Sequence, residues 1–115
     1  MTGEEITAAL GRCWSSRTSS RWSPEVPSRG QCSVTALVLQ DHFGGELLRT
    51  PVGPASHFYN RIDGVRIDAT AGQFPSPLSY LDLPATRAEA FADTSQAQYD
   101  ELFRQFAVAR PDSTR

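Results

Sequence analysis

Apolar positions recur along this chain in two rhythms, one helical and one alternating, and the change of rhythm marks out the elements. Near the N-terminus Ile6, Leu10, Cys13 and Trp14 fall on one helical face, and Thr2 with Glu5 has capping-box spacing, in which each side chain bonds the other's backbone N–H. Residues 3–15 are therefore predicted to form an amphipathic helix. From Ser15 to Arg29 the composition turns to Ser, Arg, Pro and Gly, which reads as a loop whose one large apolar anchor, Trp22, plugs into the core. The run Ser33–Phe43 carries Val34, Ala36, Leu37, Val38 and Leu39, apolar on nearly every side, as a buried central helix requires. Gly44 and Gly45 then supply the conformational freedom with which helices commonly end.

Beyond the glycines the rhythm becomes strand-like. A strand is predicted at Glu46–Thr50, a turn at Pro51–Ala55, and two further strands at His57–Ile62 and Val65–Thr70. Asp63-Gly64 between the last two is a strong hairpin signal. A two-residue turn there sets Ile62 opposite Val65, Tyr59 opposite Asp68 and His57 opposite Thr70. Period-two alternation then gathers His57, Tyr59, Arg66, Asp68 and Thr70 on one face. Residues 74–85, with Pro75, Pro77 and Pro84, predict an irregular connection. Thr86 with Glu89 and Ser95 with Gln98 are two more capping boxes, and the second opens a helix striped by Tyr99, Leu102, Phe103 and Phe106. The tail beyond Arg110 is expected to fray.

At 115 residues the chain is long enough for one core and too short for two, so a single α+β domain over residues 1–115 is expected. Eleven basic and 13 acidic residues leave a net charge of -2 with no block of either sign, which argues against a nucleic-acid partner. Glu4 and Glu5 stand where a secretory signal needs positive charge, and no apolar run approaches the ~20 residues that span a bilayer. A soluble cytoplasmic protein with no membrane partner is expected. In that reducing setting the two cysteines read as thiols and not as a disulfide.

Cys32 stands immediately before the buried helix, where the partial positive charge of a helix N-terminus favours a thiolate. The hairpin makes His57 and Asp68 diagonal neighbours, close enough for the carboxylate to hold one imidazole N–H and leave the other ring nitrogen for a thiol. Nucleophile, base and orienting acid in the order Cys32, His57, Asp68 make the generalised triad. The backbone N–H of Cys32 is the first candidate donor to an oxyanion, and Gln31 could supply an amide; Tyr59, Asn60 and Trp22 complete the candidates for the oxyanion site or cleft. Cys13 reads as core, and His42 as a residue that favours its helix C-terminus when protonated. Zinc ligation by Cys32, His57 and Asp68 is the competing chemistry. No close-spaced Cys/His pair supports it, so neither metal nor cofactor is expected.

The stretch WSPEVPSRGQCSVTALVLQDHFGGELLRT, followed by HFYNRIDGVRIDAT and by Gln73-Phe74, resembles the YunG-like family of bacterial proteins over roughly Trp22 to Phe74. That family is similar in pattern to papain-like and transglutaminase-like cysteine enzymes. The resemblance implies a papain-like fold, with a helix-start cysteine against a small antiparallel sheet bearing histidine and aspartate. It carries the nucleophile to Cys32, the base to His57 and the orienting acid to Asp68. The glutamine usual several residues before a papain-type nucleophile is absent, since the chain there reads Glu25-Val26-Pro27-Ser28. The expected function is cysteine-dependent acyl transfer on an amide or thioester bond of a peptide, protein or small amide. The alternative is a non-catalytic peptide- or protein-binding module on the same scaffold.

Overall fold

The computed structural model describes residues 1–110; the tail expected to fray, residues 111–115, lies outside them. The chain runs α1 (Gly3–Gly11), α2 (Cys32–Phe43), β1 (Glu46–Val52), β2 (Ala55–Ile62), β3 (Val65–Ile67), a single 3-10 turn (Ala71–Gln73), β4 (Leu83–Pro84), α3 (Arg87–Phe91) and α4 (Gln96–Ala109). The strands form one antiparallel sheet in the order β3-β2-β1-β4. The fold is thus a small α+β arrangement.

Local chemistry explains most boundaries. All three expected capping boxes form, at Thr2/Glu5, Thr86/Glu89 and Ser95/Gln98, each satisfying two helix-start donors. Asp63 and Gly64 both take positive φ, 52° and 77°, the type I′ geometry that matches strand twist, and Ile62 pairs with Val65 as expected. The first helix is shorter than the pattern predicts. It ends at Gly11, and Cys13 and Trp14 bond back to Leu10 from the following turn, which keeps them buried. The expected turn at 51–55 shrinks to Gly53-Pro54, because β1 runs on to Val52 and β2 begins at Ala55. β3 stops at Ile67 instead of Thr70, since Asp68 and Thr70 spend their polar groups on a local turn.

Alternation along β2 divides its side chains between two layers. Phe58 and Ile62 face α2: Phe58 joins Ala36, Leu37, Leu47 and Ala90, while Ile62 joins Ile6, Leu10, Val38, Leu39, Leu102 and Phe106. α2 is buried on all sides from Ser33 to Leu39, sandwiched between the sheet and the α1/α4 pair. The opposite face of the sheet carries His57, Tyr59 and Arg61 and is covered by the segment 74–82. Thr50, across from His57 in β1, ties that segment down by donating to Ser79 O and accepting from Leu81 N–H.

Candidate active site

His57 lies in β2 with its side chain 2% exposed, and its Nε2 is 2.7 Å from Asp68 Oδ2. Asp68 sits one residue past the end of β3. Its Oδ1 accepts from the backbone N–H of Thr70 at 3.3 Å and from the Thr70 hydroxyl at 3.4 Å. Tyr80, arriving on the covering segment, donates its hydroxyl to Oδ2 at 2.7 Å, so one carboxylate oxygen serves both the imidazole and the phenol. Both oxygens are held, and the carboxylate fixes which ring nitrogen of His57 carries a proton. Phe74 meets the imidazole edge-on at 4.9 Å, and Tyr59 stacks on it at 5.9 Å, walling the pair from water.

Nε2 being committed to Asp68, the buried Nδ1 is the ring nitrogen left for sulfur. Cys32, at the start of α2, lies beside His57, close enough for each group to shift the other's protonation. The backbone N–H of Phe58 also lies close enough to its sulfur to favour the thiolate. The sheet explains why that N–H is available. In an antiparallel ladder the N–H groups of Ile62, Asn60 and Phe58 all point toward β3. β3 ends opposite Asn60, at Ile67, so no strand residue reaches Phe58 from that side and the helix start takes the place.

The protonation states follow from these contacts. Burial alone would push the Cys32 thiol up, but the bond from His57, the Phe58 N–H, the imidazolium charge and the Ser33 hydroxyl outweigh it and leave the thiol below its ordinary value. Burial would likewise depress His57, yet Asp68 and the sulfur, by hydrogen bond and charge, raise it to about 9. A thiol held low beside an imidazole held high is shifted in the direction that favours a thiolate–imidazolium pair. Cys13 behaves oppositely: burial raises its thiol, whose Sγ–H donates to Ala9 O at 3.2 Å inside the core.

A cleft of about 250 Å³ opens beside Cys32 and His57, bounded also by Arg21, Gln73, Phe74 and Asp93. Gln73 closes one side by accepting the Gly30 N–H at 3.2 Å. Gln31, the residue before the helix, makes no side-chain cap bond, so it does not take up the first-turn N–H groups of α2.

The sequence model of the YunG protein family matches residues 2–110. The chain belongs to the YunG family. A protein of Bacillus subtilis (strain 168), described as uncharacterized protein YunG, is 48% identical over 104 residues, which cover 90% of each chain. No solved structure matches this chain.

Of the expected site residues, the fold brings Cys32, His57 and Asp68 together, places Tyr59 against the imidazole, and sends Gln31, Asn60 and Trp22 elsewhere. Gln31 is wholly buried behind the helix start, its Oε1 accepting the Thr18 hydroxyl at 2.8 Å, and does not border the cleft. Asn60 lies on the α2 side of the sheet and donates to Ala36 O at 2.9 Å. Period-two alternation separates it from His57, and that signal was present in the sequence. Tyr59 supports the imidazole from beneath, its hydroxyl donating to Asp82 Oδ1 at 2.8 Å and accepting the Asp82 N–H at 2.9 Å. Trp22 packs on the core cluster of α1, α2 and α4 and so is an anchor, not a cleft wall. His42 does stand in the last turn of α2, but Arg110 lies 2.9 Å from its Nδ1. In that contact the guanidinium donates and Nδ1 accepts.

Tyr80, Phe74, Gln73, Arg21 and Asp93 are site residues that pattern reading missed. They come from loops far along the chain, and only the Gln73-Phe74 pair carried a signal, as part of the family resemblance. Among the described residues no group of three or more His, Cys, Asp or Glu side chains could hold a metal ion. No helix of the described chain is long and apolar enough to cross a membrane.

Proposed function

We propose that this YunG-family chain is a cysteine-dependent acyl-transfer enzyme acting on amide or thioester bonds, built on a reduced papain-like scaffold. The observation that carries the reading is the relay Cys32–His57–Asp68: a helix-start sulfur with a lowered thiol, an imidazole raised to about 9, and a carboxylate 2.7 Å behind it. Such a resting ion pair supplies the nucleophile already ionised and the acid already protonated.

In the proposed cycle the Cys32 thiolate attacks the carbonyl carbon, forming a tetrahedral oxyanion. The N–H groups at the start of α2, Cys32's first among them, face that negative charge. Collapse breaks the bond to the leaving amine or thiol, which takes its proton from the His57 imidazolium. The acyl group is now a thioester on Cys32. Water or an amine gives up a proton to neutral His57 as it attacks the thioester, and collapse returns the thiolate–imidazolium pair. Asp68 holds the ring in the orientation both half-reactions need. A reducing cytoplasm suits a chain whose two cysteines are both free thiols.

Labelling with electrophilic amide and peptide probes, read by intact mass, tests the proposal. Covalent adducts on Cys32 that vanish in Cys32→Ala and His57→Ala are expected. Failure of Cys32 to label, or labelling indifferent to His57→Ala, would favour the binding-module reading.

A further inference from the structure

Arg21 and Asp93 border the same cleft as Cys32 and His57, and their charges are opposite. Neither forms an ion pair with any described residue, and so neither pairs with the other. Asp93 is tied to the helix start, where its Oδ2 accepts the Ser33 hydroxyl at 3.4 Å. Arg21 approaches from the preceding loop with its side chain laid across Gly30. A Cβ on that glycine would come within 2.9 Å of Arg21 Cβ and 3.3 Å of Arg21 Nε. Both residues are thereby located beside the segment that carries the nucleophile.

Two opposite charges that share a cavity without neutralising each other leave the matching pair to be supplied by whatever enters. The cavity is small. Its volume of about 250 Å³ falls below the ~300–1,000 Å³ of pockets that enclose drug-sized ligands, and suits a single amino-acid unit. A planar guanidinium is matched to a carboxylate, and a carboxylate to an ammonium.

Resting on the reading that Cys32 attacks an acyl carbon in this cleft, we propose that the ligand is the side-chain amide or thioester of an α-amino acid. Its α-carboxylate meets Arg21 and its α-ammonium meets Asp93, leaving the side-chain carbonyl for the sulfur. For an amide, the thiolate forms a C–S bond and the C–N bond breaks. Ammonia leaves with the proton from His57, and water then hydrolyses the thioester to the free side-chain acid. For a thioester, a thiol leaves in place of ammonia. No oxidant or reductant is involved.

Binding to Cys32→Ala, which cannot turn the ligand over, separates this inference from the catalytic one. Calorimetric titration compares L-glutamine with glutaramate, which lacks the ammonium, and with 4-aminobutanamide, which lacks the carboxylate. L-Glutamine or the shorter L-asparagine is expected to bind, and each single-charge analogue to bind about tenfold or more weakly. Adding Arg21→Gln should abolish the penalty for losing the carboxylate, and Asp93→Asn the penalty for losing the ammonium. Equal binding of all the ligands, no binding of either amino acid, or discrimination that survives both substitutions would overturn the proposal. Iodoacetamide alkylation of the unsubstituted protein reads the other question. An ordinary thiol that nevertheless binds L-glutamine selectively would sink the catalytic reading and keep the ligand class; a reactive thiol without selectivity would do the reverse.

Discussion

Nε2 of His57 and Oδ2 of Asp68 lie 2.7 Å apart across eleven residues of chain, joined by a type I′ turn that makes them diagonal neighbours. The contact fixes the imidazole's orientation, and with it which nitrogen is left to face sulfur. Its strength also links protonation to folding, and the sulfur modifies that link in a measurable way.

His57 titrates near 6.5 in an unfolded chain and at about 9 here. Alone, that raised value contributes stability that is complete below 6.5 and lost as pH rises through about 9. Cys32 has the opposite sign. Its thiol is lowered from 9.0, so its contribution is present above 9.0 and lost as pH falls through the folded value. Wherever the folded pair is thiolate–imidazolium and the unfolded one thiol–imidazole, both hold the same number of protons, and the two slopes cancel. Cys32→Ser removes the sulfur's half and the part of the His57 shift that the sulfur supplies, leaving the part that Asp68 supplies. Its urea-unfolding free energy, relative to the unsubstituted protein, should fall by about 1–2 kcal/mol as pH rises from 6.5 toward 9. A difference that stays level with pH would mean that Asp68 does not hold the imidazolium.

Tyr80→Phe deletes one hydroxyl and leaves the ring in place against Tyr59, at 4.9 Å, and beneath Arg66, at 4.6 Å. Only the bond to Asp68 Oδ2 is lost. A cost of about 1–3 kcal/mol is expected in denaturant unfolding, because the acceptor is charged and shielded. A change within ~0.5 kcal/mol, the usual range for surface substitutions, would mean that the phenol does not secure the carboxylate.

Gly30 precedes the nucleophile by two residues with φ of +73°, and an added Cβ would lie 2.5 Å from Ser19 Oγ and 2.9 Å from Arg21 Cβ. Gly30→Ala should cost about 1–3 kcal/mol in denaturant unfolding and slow alkylation of Cys32. Gly11 has nothing within 4 Å of its own added Cβ and no positive φ, so Gly11→Ala should be neutral or stabilise by about 0.4–1 kcal/mol. Equal effects at the two positions would remove the steric account of the Gly30 turn.

What could be read in the sequence was local. Asp63-Gly64 announced its turn, and the turn set the pairing of Ile62 with Val65 and thence the diagonal between His57 and Asp68. Capping boxes at Thr2, Thr86 and Ser95 marked three helix starts because their chemistry is confined to four residues. Tyr80 escaped because it lies in a proline-rich segment without periodicity, and its bond to Asp68 spans two layers of the fold. Arg21 and Asp93 escaped for the same reason: an exposed charge acquires meaning only from the cavity it borders. The expected end of β3 at Thr70 misled because Asp68 and Thr70 satisfy each other locally, and that early stop is what frees the Phe58 N–H for Cys32.

The claim on which the rest depends is that Cys32 rests as a thiolate against the His57 imidazolium. The rate of iodoacetamide alkylation at Cys32 as a function of pH, compared with that of His57→Gln, measures it. The account predicts a midpoint clearly below the ~8.5 of an ordinary thiol, a second change near 9 as His57 loses its proton, and in the variant a midpoint shifted upward because burial is no longer offset. At neutral pH the variant should react about tenfold more slowly, even after allowing for the greater nucleophilicity of a more basic thiolate. A midpoint near that of an ordinary thiol in the unsubstituted protein, unmoved by His57→Gln, would contradict it.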